Sequence, residues 1–238
     1  GTHPIEIGIT EANRGAILQR LRSDAVLLAL FQAAAPDQAD PVTLPIIVNA
    51  MATFQRGLVS ADSLFDRVLQ GQASLDAGAE RGRQLFFGQR ARCAECHFSD
   101  QLGTPFQAAA FHNTGLYNLD GRGAYPAQSP GLVEQTGLAS DRGRFRVPSL
   151  RNVALTAPYF HDGSAASLTE VLASYAAGGR VITGGPNAGD GRANPFKSDK
   201  VQAIADAGLS AQDQGDLIAF LNSLTDESFV RDPKLGKP

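Results

Sequence analysis

The chain has 238 residues, with 21 basic against 24 acidic side chains and a formal net charge of −3. That length can bury one substantial core or two small ones. The near balance of charge leaves no electrostatic footprint for nucleic acid, and no stretch of 18 or more apolar residues occurs to span a membrane. With two cysteines, one methionine and no tryptophan among many Ala and Gly, the polypeptide needs something else to organise its middle. Its opening, GTHPIEIG, lacks the basic and apolar regions of a signal peptide and reads as a processed or truncated end.

Apolar residues recur at helical spacing through 11–31, with a break predicted near Ser23-Asp24. A second helix is predicted over 43–60, capped by Thr43, with Pro45 in the first turn where its missing N–H costs little. Residues 76–89 give a third helix, capped by Asp76, in which Gly78 and Gly82 permit close approach of another helix.

That helix runs into RARCAECHFS (91–100), which contains both cysteines. Cys93 and Cys96 could form a redox dithiol or half of a zinc site. Zinc needs four ligands, and only His3, His112 and His161 remain as nitrogen donors, each far along the chain. A thioredoxin-like dithiol belongs at a strand–helix junction in a βαβ pattern, which is absent. His97 directly after Cys96 decides for haem c, attached through two thioethers with His97 as an iron ligand. Covalent haem is attached outside the cytoplasm, so a periplasmic or secreted address follows.

Residues 98–147, rich in Gly, Pro, Asn and Asp, exceed an ordinary loop. Such a segment is functional, disordered, or wrapped around a porphyrin that supplies its core. A similar irregular stretch covers 178–200. The closing helix lies within 209–224, capped by Ser210, with Leu217, Ile218, Leu221 and Leu224 on one face.

SLTEVLASYAAGG (167–179) is the best punctuated helix. Ser167 and Glu170 predict a capping box, and Gly178-Gly179 a left-handed stop. Leu168, Val171, Leu172 and Tyr175 share one face, so the Tyr175 hydroxyl turns inward and must find a partner. It either bonds a carbonyl as a core tyrosine or supplies the sixth ligand of the haem iron. Met51, the one methionine, lies in the 43–57 helix well upstream of the haem motif, which disfavours a methionine ligand. His112 and His161 remain as rivals.

At this point the residues become recognisable. RFRVPSLRNVALTAPYFHDGSAASLTEVLASYAAGG (144–179), ERGRQLFFGQRARCAECH (80–97), FHNTGL (111–116) and DLIAFLNSLT strongly resemble the bacterial dihaem cytochrome c peroxidase and MauG-like family, over essentially the whole chain. The resemblance implies an all-α, cytochrome c-like helical haem domain with long irregular haem-wrapping loops and additional N-terminal helices. It implies that 1–75 corresponds to the end of the family's N-terminal, peroxidatic domain, and 76–238 to its C-terminal haem domain. In the peroxidase branch a methionine occupies the position of Tyr175; in the MauG-like branch a tyrosine there binds the second haem. A phenolate is a hard anionic donor that stabilises ferric iron and higher oxidation states. Such a haem, held by His97 and Tyr175, suits electron or hole transfer.

The family also holds a calcium ion partly by two backbone carbonyls, which map to Thr156 and Pro158. His112, His161 and Asp162 then become pocket and loop-bracing residues. HPIEIG is similar to the family's Pro-x-Glu-Met segment, which makes Glu6 the carboxylate that moves protons in peroxide cleavage, although Ile7 replaces the methionine. The expected function is a dihaem peroxidase or MauG-like oxidoreductase that uses hydrogen peroxide to oxidise a protein partner. LTDESFVRDPKLGKP further resembles MauG-like members associated with copper-peptide biosynthesis, which oxidise a tryptophan of a partner protein. The chain departs from the family in having one Cys-x-x-Cys-His and no tryptophan, and in beginning where the first haem domain would end. These departures imply that the second haem belongs to an N-terminal domain or chain absent here, and that this chain alone does not turn over peroxide. The alternative is a monohaem cytochrome acting only as an electron carrier.

Overall fold

The computed structural model describes residues 8–97 and 110–235, which fall into two compact units, Gly1–Val59 and Ser60–Pro238. The first holds α1 (Glu11–Ser23), α2 (Ala25–Ala34) and α3 (Leu44–Gly57). The predicted break falls at Asp24. Its carboxylate accepts bonds from Val26 N and Leu27 N at 2.9 and 3.0 Å and so starts α2. Thr43 takes the extended backbone of an N-cap, but its hydroxyl makes no capping bond; Pro45 lies in the first turn as expected. Arg22 ties the α2–α3 loop to α1 by donating to Asp40 and to the Val42 carbonyl. No residue of these three helices is buried, and Val26, Leu30, Val48 and Phe54 are more than half exposed.

The second unit contains α4 (Leu64–Leu69), α5 (Ala77–Phe87), β1 (Phe111–Asn113), α6 (Val133–Thr136), β2 (Arg144–Arg146), α7 (Leu168–Ala176), β3 (Val181–Ile182), β4 (Gly189–Asp190), α8 (Asp199–Asp206), α9 (Ala211–Asn222) and α10 (Glu227–Val230). The fold is mostly helical, as expected, with two short antiparallel pairs, β1–β2 and β3–β4. Residues 60–75 pack in this unit.

The centre is the crossing of α5 and α9. Asp76 caps α5 through Ala79 N at 2.8 Å, and Ser210 caps α9 through Asp213 N at 3.1 Å. Gly82 makes the crossing possible: a Cβ there would lie 1.9 Å from the Asp216 carbonyl oxygen. Phe65, Phe86 and Phe220 pack beside it, with Phe220 centroids 5.1 and 5.2 Å from the other two. Such pairs add about 0.5–1.5 kcal/mol each beyond their buried area. Leu168, Leu172, Leu217 and Leu221 extend the same core.

The polar joints are buried. Asp66 takes two bonds from Arg151, at 2.7 and 2.8 Å, and both side chains are about nine-tenths covered. Asp226 accepts from Ser60 Oγ, Ala61 N, Asp62 N, Ser228 Oγ and Phe229 N. Asn152, in the left-handed conformation that asparagine tolerates, accepts from Asp226 N and donates to Ser60.

The described part of the long irregular segment is braced by buried asparagines. Asn113 Oδ1 accepts from Gly115 N and the Tyr125 hydroxyl, and its Nδ2 donates to the Arg142 carbonyl. Asn194 donates to the Tyr117 carbonyl at 2.7 Å. Side-chain bonds here replace the backbone ladder that a helix or sheet would provide.

Candidate functional site

α5 delivers the chain to a tight turn at 92–97. Arg92 is left-handed (φ 52°), after which Cys96 N and His97 N both donate to the Cys93 carbonyl, at 3.1 and 2.9 Å. In a 3₁₀ turn, residues i and i+3 eclipse one another, so Cys93 and Cys96 present their sulfurs on one side. Lys200 of α8 donates to the Glu95 carbonyl at 2.6 Å and ties the turn to α8.

No disulfide joins Cys93 and Cys96. Burial pushes the Cys93 thiol up to about 12, reinforced by neighbouring Cys96, and burial also raises Cys96 against the pull of Lys200. Thiols held neutral are poor redox nucleophiles, which disfavours the dithiol reading. Among the described residues no group of three or more His, Cys, Asp or Glu could hold a metal ion.

His97 Nδ1 lies 3.2 Å from the Pro148 carbonyl oxygen. A carbonyl only accepts, so this bond places the proton on Nδ1 and leaves the lone pair on Nε2. An imidazole anchored in that way has the tautomer and support of a metal ligand.

Across the unit, α7 places Tyr175. Ser167 Oγ accepts from Glu170 N at 3.2 Å, while the Glu170 carboxylate reaches one residue further upstream than a capping box requires and accepts from Ala166 N at 2.8 Å. The helix ends in a Schellman motif: Gly179 N donates to the Ser174 carbonyl and Gly178 N to the Tyr175 carbonyl, with both glycines at positive φ. Leu168 and Leu172 are buried; Val171 and Tyr175 are half-buried. Tyr175 packs on the same core cluster as Cys93, and its phenol is raised by burial and then by the nearby Cys96 and Cys93 sulfurs.

The four tyrosines differ in one respect. Tyr117 donates to Asp162, Tyr125 to Asn113 and Tyr159 to the Val153 carbonyl. Tyr175 alone has no hydrogen-bond partner among the described residues. Two cysteines one turn apart, an imidazole anchored through Nδ1 and an inward phenol with no hydrogen-bond partner among the described residues fit a porphyrin attached by thioethers, with nitrogen and oxygen donors to its iron.

The rivals have other work. His112 sits in β1 with Nδ1 3.4 Å from Ser198 Oγ, and burial lowers its pKa. His161 stacks on Phe145 at 3.7 Å and 13°. Asp162 accepts from Tyr117, Ser164 N and Arg180. The carbonyls of Thr156 and Pro158 lie in an exposed turn and accept no hydrogen bond among the described residues. Glu6 lies outside the described residues. Sequence reasoning did not single out Pro148, Lys200 or Phe160. A supporting backbone carbonyl leaves no side-chain signature.

The turn, the anchored histidine and the helical frame suit a c-type haem protein. A profile for the family described as "Di-haem cytochrome c peroxidase" matches residues 2–74. MauG, the methylamine utilization protein of Methylorubrum extorquens, is 32% identical over 214 residues, covering 89% of this chain and 52% of the relative. Cytochrome-c peroxidase IdrP1 of Denitromonas iodatirespirans is 36% identical over 210 residues, covering 78% and 52%. The crystal structure of a MauG-like protein associated with microbial copper homeostasis matches with a TM-score of 0.87 at 47% identity, covering 100% of this chain and 69% of that one. The diheme peroxidase BthA of Burkholderia thailandensis, 19% identical with a TM-score of 0.69, shares the fold over 96% of this chain and 62% of its own. The chain belongs to the dihaem cytochrome c peroxidase and MauG-like family of oxidoreductases. It spans about half the length of the curated relatives it matches.

Proposed function

We propose that this chain is the C-terminal haem c portion of a MauG-like oxidoreductase that uses hydrogen peroxide to oxidise a protein partner. Cys93 and Cys96 would hold its haem through thioethers, His97 and Tyr175 would bind the iron, and the haem would supply electron and hole transfer. The observation that carries this is the Tyr175 hydroxyl, the one phenol without a hydrogen-bond partner among the described residues, packed on the cluster that holds Cys93. Bound haem would supply an iron able to change oxidation state. The chain's own residues orient the imidazole through Pro148, clamp the turn through Lys200, and present a phenol that becomes an anionic donor on metal binding.

The second haem and the peroxide chemistry belong to an N-terminal segment outside this chain, with Glu6 as the proton-moving carboxylate and 1–75 completing that domain. The end of the family profile at residue 74 supports the division. Thr156 and Pro158, with unbonded carbonyls in an exposed turn, are the proposed protein ligands of a calcium ion. The protein acts in the periplasm, where haem c is attached. The copper-homeostasis description of the 47% identical structural relative favours a protein substrate from a copper-handling context.

Tyr175→Phe tests the assignment. The ferric optical spectrum is expected to change from low spin to an open or water-bound form, and an unaltered spectrum rejects Tyr175 as ligand. A mass heavier than the polypeptide by one haem, with the pyridine haemochrome spectrum of two-thioether haem c, tests attachment. The single Cys-x-x-Cys-His favours a second reading, a monohaem electron carrier. Full-length holo protein that carries one haem and fails to consume peroxide would select it.

A further inference from the structure

Three tyrosines in this unit have satisfied hydroxyls, but their acceptors differ in basicity. Tyr125 donates to the Asn113 amide oxygen and Tyr159 to a backbone carbonyl, neither of which can take up a proton at ordinary pH. Tyr117 donates to the Asp162 carboxylate, at 2.6 Å. Arg180 lies over the Tyr117 ring, its guanidinium carbon 4.7 Å from the centroid, and its Nη2 reaches Asp162 at 3.1 Å. The Arg180 Nε is buried without an acceptor, so its charge is only partly compensated. A positive charge above the ring opposes a radical cation. An electron can therefore leave Tyr117 only together with its phenolic proton, and the carboxylate to receive that proton is already in place.

The location fits a relay. Phe160 lies 6.4 Å from Tyr175, centroid to centroid, and also packs against the cluster of Leu116, Tyr117 and Tyr125. Phe160 thus meets both the proposed iron ligand and the cluster that contains Tyr117. On its other side Tyr117 lines an open groove of about 550 Å³ with Arg180, Ile182, Thr183 and Asn187.

We infer that Tyr117 is a redox relay that passes electrons from an oxidisable side chain of a protein partner at this groove to the haem, with Asp162 as its proton acceptor. The step rests on the proposed function, with peroxide as terminal oxidant. Tyr117 gives one electron to the peroxide-oxidised haem group; its O–H bond breaks and the proton moves to Asp162, leaving a neutral phenoxyl radical. One electron from the partner's side chain then reduces the radical, and Asp162 returns the proton.

The test is freeze-quench electron paramagnetic resonance on the intact dihaem protein without substrate, after hydrogen peroxide and, separately, after photogenerated tris-bipyridine ruthenium(III). A tyrosine radical, narrowed by ring-deuterated tyrosine, is expected in both arms. Tyr117→Phe and Asp162→Asn should lose it while keeping the ferric optical spectrum, and Asp162→Glu should restore it. Bleaching of the ferric haem signal by peroxide with no radical, or with one that survives Tyr117→Phe, overturns the relay and leaves the proposed function standing. A radical seen with ruthenium(III) but not with peroxide also overturns the relay. Failure of peroxide to bleach the ferric signal overturns the proposed function and the relay together.

Discussion

Replacing Gly82 with alanine sets two known effects against each other. In a helix interior alanine is favoured over glycine by about 0.8–1.0 kcal/mol, so propensity alone predicts stabilisation. At Gly82, however, the added methyl would lie 1.9 Å from the Asp216 carbonyl oxygen, 2.5 Å from its carbon and 2.9 Å from Phe220 Cβ. Two of these obstacles are backbone, so no rotamer change relieves them and α5 must move off α9. Overpacking of this kind costs up to about 3 kcal/mol. The net expectation is a loss of about 2 kcal/mol, or roughly 4–8 °C in melting temperature for a unit of this size. Gly215 provides the control, because a Cβ on this exposed glycine of α9 meets nothing within 4 Å; its alanine variant should hold or gain stability. Urea and thermal unfolding, followed by far-ultraviolet circular dichroism on holo protein, measure both. A Gly82→Ala protein as stable as wild type would refute the account of how these helices cross.

Further outcomes follow from the polar joints. Arg151→Ala strands the Asp66 carboxylate inside the unit and should cost about 3–5 kcal/mol in urea unfolding. Acid should destabilise the fold through three carboxyls. Burial acts to raise Asp162, but bonds from Ser164 and Tyr117 outweigh it and hold it at about 2; Arg83 holds Glu80, and Arg90 and Ser210 hold Asp213, also at about 2. A carboxyl depressed in the folded state contributes stability that is complete above its unfolded pKa near 4 and is lost as pH falls towards 2. Urea midpoints across that window should fall, and Asp213→Asn should flatten the slope. Lys200→Met removes the clamp on the Glu95 carbonyl, so amide hydrogen exchange at 93–97 should quicken.

The chain wrote some of this architecture in local terms. The helix break at Asp24 and the caps Asp76, Ser167 and Ser210 depend on neighbours within a few residues, and the structure has them where the sequence put them. The inward face of α7 followed from its period. Long-range polar partnerships were not legible. Nothing near Asn113 announces that it will brace Arg142 and Tyr125, and the Pro148 carbonyl that meets His97 is backbone 51 residues away. Glu170 illustrates a smaller failure: the right residue type three positions after the cap bonds Ala166 N instead, because a flexible carboxylate takes whichever free amide it can reach. Thr43 likewise has the right type and backbone, but its hydroxyl is not engaged.

The five donors gathered on Asp226 have a consequence for how the chain responds to a protease. Because Ser60, Ala61 and Asp62 are moored to a carboxylate more than 160 positions away, scission just before Ser60 would leave the new amino end pinned. The trimmed fragment should keep its native melting profile, whereas Asp226→Ala would let the same strip of backbone peel away and invite further digestion.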